Sequence, residues 1–85
     1  MKSQFYHWEK DLRKLINNWD FIPGAPSDEF DDLNHRILSH LNKGADKEKL
    51  FRAIKSELIT YYGLDPVDND VHQLTEEIVN WWNKQ

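Results

Sequence analysis

The residues of this chain that could do chemistry are mostly acids. Asp20, Asp28, Glu29, Asp31 and Asp32 fall within one stretch of thirteen residues, and Asp65, Asp68, Asp70, Glu76 and Glu77 within another. Two carboxylates can act as a general acid and base, but only across a cleft that holds substrate and excludes water. A chain of 85 residues rarely encloses one. Some of these acids have a plainer role: Ser27 followed by Asp28 and Glu29 reads as a helix cap and an acidic first turn. Capping does not require five acids in thirteen residues, so the remainder form a surface. Such a surface repels a phosphate backbone and favours a basic protein partner.

The other chemistries are missing their parts. The histidines are His7, His35, His40 and His72, and no two stand four apart as a helical zinc site requires. His7–Asp11, Asp31–His35 and His72–Glu76 have that spacing, which is more often a surface helix pair. The run Asp65-Pro66-Val67-Asp68-Asn69-Asp70 superficially resembles a calcium loop, yet it lacks the glycine at its turn and contains a proline. Capping explains it more simply. Ser3, Ser27, Ser39, Ser56, Thr60 and Thr75 bring no glycine-rich elbow for nucleophilic catalysis. With three glycines in all there is no phosphate-cradling loop, and with no cysteine there is neither a disulfide nor a thiolate site. The expectation is a non-enzymatic protein with no cofactor and no metal.

Two adjacent aromatic pairs complete the inventory, Tyr61-Tyr62 and Trp81-Trp82. A helix buries only one of two neighbouring side chains fully, so one of each pair is expected at the surface. Exposed Tyr and Trp beside acids are what an interface anchor with an electrostatic rim requires. The simpler account is that each pair wraps the edge of a small core.

Helices must position these groups. Phe5, Trp8, Leu12, Leu15, Ile16 and Trp19 form one helical stripe. Ser3 is a plausible cap, and Glu9 and Arg13 sit four apart in support. Residues 19–27 cannot continue the helix, because Pro23 and Pro26 remove donors and Gly24 offers a turn. Trp19, Phe21 and Ile22 are too apolar for a loose linker, so this loop should fold back onto the core. Phe30, Leu33, Ile37, Leu38 and Leu41 give a second stripe, ended at Gly44 in a left-handed position. Asp46 caps a third, Leu50, Phe51, Ile54 and Leu58, with Ile59 and Tyr62 alongside and Gly63 as its stop. Asp65-Pro66 reads as a cap followed by a first-turn proline, with Asp70 as the alternative cap. Val67, Val71, Leu74, Ile78 and Trp81 or Trp82 follow.

The result is an all-α fold, one helical domain over residues 1–85, with four helices at about 3–18, 28–42, 47–62 and 66–83 in a compact antiparallel bundle. Residues 1–18 carry four cations and two acids, residues 19–46 two and six, residues 47–63 four and two, and residues 64–85 one and five. No apolar run approaches a membrane span, and Met1–Trp8 lacks the apolar stretch of a signal peptide. A soluble cytoplasmic protein is the expectation.

Two resemblances add to this reading. Asn17-Asn18-Trp19-Asp20, Asp28-Glu29-Phe30-Asp31 and Leu50, Ile54, Tyr62-Gly63 resemble a bacterial domain-of-unknown-function family with a Trp-Asp turn and an Asp-Glu-aromatic-Asp helix start. Here the proline arrives at Pro23 rather than directly after Asp20. More loosely, Tyr61-Tyr62, Pro66, Asp68, Asp70 and Glu77-Ile78 with Trp81 are similar in order to the acidic immunity proteins of DNase colicins and contact-dependent inhibition systems. That likeness implies a monomer that neutralises a basic toxin domain, of nuclease type, in a one-to-one complex, touching neither nucleic acid nor membrane. The contacts expected on this reading are Asp28, Asp31, Asp32, Tyr61, Tyr62, Asp68 and Asp70. The other reading is a small adaptor or regulatory protein, homodimeric through its aromatic surface.

Overall fold

A computed structural model of the chain describes residues 2–19, 21–22, 24, 26 and 28–85, with side chains from His7 onward. The first helix begins at Lys2, so Ser3 lies inside it rather than capping it; the expected roles of the Phe5 side chain and of Asp20, Pro23 and Ser27 lie outside the described residues. Four helices make up the fold: α1 Lys2–Asn17, α2 Asp31–Asn42, α3 Lys47–Thr60 and α4 Asp68–Asn83. Helix α1 packs on α2 and α4, and α3 packs on the same two. Connections of four and seven residues join α2 to α3 and α3 to α4, a longer one joins α1 to α2, and the contacting helices close into a bundle. Its radius of gyration is 12.1 Å, as a compact chain of this length requires. Among the described residues no helix is long and apolar enough to cross a membrane.

The apolar stripes meet at the centre. Leu12 and Ile16 of α1, Leu33, Ile37, Leu38 and Leu41 of α2, Leu50, Phe51, Ile54 and Leu58 of α3, and Val71, Leu74 and Ile78 of α4 are all buried. Each fully enclosed aliphatic side chain contributes about 1.5–3 kcal/mol relative to exposure. Trp19, Phe21 and Ile22 pack against this core, so the loop after α1 folds back as its composition predicts.

Helix ends depart from the expected boundaries for identifiable reasons. α2 begins at Asp31 rather than at residue 28. Residues 28–30 form a turn, with Glu29 N–H donating to the Pro26 carbonyl (3.1 Å) and Asp31 N–H to that of Asp28 (3.2 Å). Phe30 takes the cap position with no side-chain cap bond, because its ring is 4% exposed and belongs to the core. α2 closes as its sequence requires: Gly44 has φ +79°, its N–H reaches the Leu41 carbonyl, and the Ala45 N–H reaches that of His40. This is the six-to-one and five-to-two pairing of a Schellman end.

Asp46 caps α3 through the Lys49 N–H at 2.8 Å. α3 stops at Thr60 rather than residue 62, and the chain turns through Gly63 at φ +66°. α4 begins at Asp68 with Val67 as its cap residue and no side-chain cap bond. Neither Asp65 nor Asp70 caps it, so the expected start at 66 is two residues early. Val67, assigned to the apolar stripe, is 62% exposed.

Candidate functional site

The acids of the first cluster and the tyrosine pair come together where the start of α2 meets the end of α3. The Tyr61 hydroxyl donates to Asp32 Oδ2 at 2.9 Å, while its ring stays 56% exposed. The Arg36 guanidinium carbon lies 5.7 Å from the centre of that ring, and Arg36 Nη1 donates to Glu57 Oε1 at 2.7 Å. One exposed ring is therefore held upright from two sides. Asp28 and Glu29 are exposed in the turn before α2, Asp28 acting on Arg13 and Glu29 on Tyr62 through their charge, with no hydrogen bond or ion pair from their side chains among the described residues. Accepting from the Tyr61 hydroxyl, the Asp32 carboxylate raises the phenol's pKa. Tyr61 is thus a donor and a flat contact surface at neutral pH, not a base.

Tyr62 has a different task. Its ring packs on Phe30 at 4.9 Å between centres and on Tyr61 at 4.9 Å. From Phe30 the ring contacts continue to Phe21 at 6.2 Å and Trp19 at 6.0 Å, and Trp19 Nε1 donates to Glu77 at 3.0 Å. Burial pushes the Tyr62 phenol pKa up, with the Leu33 backbone pulling more weakly the other way. The hydroxyl is enclosed and forms no well-aligned hydrogen bond. So one tyrosine of the pair faces solvent and the other joins the core.

Two of the remaining expected contacts, Asp31 and Asp68, are already engaged. Asp31 takes a two-pronged bond from Arg13 of α1, Nε at 3.0 Å and Nη2 at 2.6 Å. That bond, with the attraction of the carboxylate, lifts the Arg13 pKa further. Asp68 pairs with Lys55 at 2.9 Å on the α3–α4 face. Asp70 lies in the first turn of α4. No hydrogen bond or ion pair joins Asp68 or Asp70 to the Asp32–Tyr61 group, so the seven residues form a main patch and a separate flank.

The tryptophan pair corrects the expectation of an exposed member. Trp81 and Trp82 are both partly buried. Trp82 packs edge-on against Trp8 at 4.8 Å, and Trp81 Nε1 reaches Asp11 at 3.4 Å, so the pair fastens α4 to α1. His35 and His72 also have partners on other elements: His35 meets Glu9 of α1, and His72 stacks on Phe51 at 3.8 Å while still acting on Glu76 through its charge. Among the described residues no three metal-ligating side chains converge. The run resembling a calcium loop is helical from Asp68 onward.

Sequence reasoning missed Arg36 and Glu57 as members of the patch, although Arg36 stands four residues after Asp32 and that spacing was a usable signal. Nothing in the local sequence marked Arg13 as the partner of Asp31. Chemically, the arrangement offers a rigid donor and aromatic surface with an acidic border, and no nucleophile beside a base. Comparison with protein-family models, with curated proteins and with solved structures finds no match to this chain.

Proposed function

We propose that this chain is a stoichiometric inhibitor, an immunity protein that holds a basic bacterial toxin domain of nuclease type through its acidic and aromatic surface. The observation that carries the reading is Tyr61: a large exposed ring, fixed by Asp32 and Arg36, at the end of the bundle where the exposed acids Asp28 and Glu29 precede α2. Interfaces place their binding energy on such rigid aromatic anchors. The surrounding carboxylates speed and orient the encounter with a cationic partner. Asp31 and Tyr62 adjoin this centre while Asp68 and Asp70 form the separate flank, and Asp31 and Asp68 would exchange Arg13 and Lys55 for cations of the partner only at a cost in existing pairs.

The test is a tagged capture from the native cell, followed by expression of the captured domain with and without this chain. A one-to-one complex with a basic domain, whose toxicity is suppressed by the parent chain but not by Tyr61→Ala with Asp32→Asn, supports the proposal. A captured partner that is acidic, or whose toxicity is indifferent to this chain, overturns it. One observation favours an adaptor instead: Ile59 and Val67, 43% and 62% exposed, are apolar groups near the same end of α3. Binding that survives loss of the acids and fails on Ile59→Asp or Val67→Asp would select that reading.

A further inference from the structure

The face shared by α2 and α3 is ordered by charge along its length. At one end stands the Tyr61-bound Asp32, with the exposed acids Asp28 and Glu29 in the turn just before α2. In the middle Arg36 and Glu57 neutralise each other across the two helices. At the other end His40, Lys43 and Lys49 border the α2–α3 turn, and none of their side chains has a hydrogen bond or ion pair among the described residues. The one acid among them, Asp46, is committed to the Lys49 N–H. Nearby, Glu48 pairs with Arg52 and Lys47 with Glu76 of α4, so the surplus at this end stays positive.

Between the poles runs a groove of about 310 Å³ with Leu33, Ile37 and Ile54 at its floor and the small side chains of Ser39, Ala53 and Ser56 along its sides. Asp32 and Lys43 are eleven residues apart on one helix, about 16 Å at 1.5 Å per residue. That exceeds the Debye length of about 8 Å at physiological salt, so the two poles act separately and do not cancel. A partner for this face must carry the same two poles in reverse order. A second copy turned by a two-fold axis supplies that order by symmetry, since each acidic pole then meets the other's basic pole.

We infer that the α2–α3 face is a self-recognition surface, on which two copies of this chain pair antiparallel about an axis passing over Ser39, Ala53 and Ser56. Small side chains at the axis let the helices approach, and the charged pairs at both ends set the register. The face is two short helices wide, at the low end of interface sizes, so pairing is weak and salt-sensitive. The dimer does not depend on the toxin reading, because its test uses this chain alone.

Sedimentation of the full chain across micromolar to millimolar concentration, at low and high salt, provides the measurement. Mass is expected to rise from 10.2 kDa to a plateau at twice that, and to fall back in high salt. Two charge reversals sharpen it: Asp28→Lys with Glu29→Lys, which spare the Asp32–Tyr61 bond, and Lys43→Glu with Lys49→Glu. Each alone is expected to weaken pairing by about tenfold or more. An equimolar mixture of the two restores it, because both poles are then complementary again, and so do all four changes in one chain. Circular dichroism and thermal unfolding of each variant confirm that the bundle is intact. A monomer at every concentration overturns the inference. So does a dimer indifferent to both reversals, a mixture that fails to restore pairing, or growth beyond two copies.

Discussion

Replacing each tyrosine of the pair by alanine should separate stability from binding. Tyr62 is partly buried against Phe30. A tyrosine ring removes about 150–250 Å² from water when enclosed; half of that, about 100 Å² at ~25 cal/mol per Å², is worth about 2.5 kcal/mol. Its contact with Phe30 adds about 0.5–1.5 kcal/mol as an aromatic pair. The enclosed hydroxyl without a well-aligned bond offsets part of this, leaving about 3 kcal/mol for Tyr62→Ala. At roughly 4–8 °C per kcal/mol for a chain of this size, Tm should fall by about 12–24 °C. Tyr61→Ala removes a ring that is mostly in water and should leave the midpoint nearly unchanged while abolishing capture of the partner. Urea titration followed by tryptophan fluorescence reads the first effect, and co-sedimentation with the partner reads the second. Tyr62→Phe keeps the ring and is expected to be at least as stable as the parent. Equal destabilisation by the two alanine variants, or a silent Tyr62→Ala, would refute this division of roles.

Three further outcomes follow from the same geometry. Gly44→Ala has open space at its new Cβ but must hold φ +79°, so it should cost about 1–2 kcal/mol in denaturant unfolding; a neutral result would mean the α2 end is not fixed by that conformation. The bond from Lys47, with its charge, lowers the Glu76 pKa in the folded chain. That contribution is present above the carboxylate's ordinary range and disappears as pH falls through the lowered value. Urea midpoints of the parent should therefore drop more steeply below pH about 4.5 than those of Lys47→Met. At the alkaline end both phenols have raised pKa values, Tyr61 through Asp32 and Tyr62 through burial. Folding then favours the neutral rings, so stability is intact below pH about 10 and is lost as pH rises through the raised values. Tyr61→Phe with Tyr62→Phe should flatten that alkaline loss.

The four helices were legible in the chain because a helix repeats its demand every three to four residues. Leu33, Ile37, Leu38 and Leu41, or Leu50, Ile54 and Leu58, can share one buried face in only one periodicity. Gly44 and Asp46 were legible for a similar reason, since their roles depend on the backbone within a turn of themselves. The starts of α2 and α4 were not. Phe30 occupies a cap position because Phe21 and Tyr62 need its ring, and Val67 does so although Asp65 and Asp70 are better cap formers. At Phe30 packing from distant elements outweighed local capping; at Val67, which is 62% exposed, nothing in the structure explains the choice. The patch divides in the same way. Its composition, acids beside a tyrosine pair, stood in the sequence, but which tyrosine faces water did not. Nor did the capture of Asp31 by Arg13 and of Asp68 by Lys55, because a charge chooses its partner by distance, and distances between helices exist only once the bundle has formed.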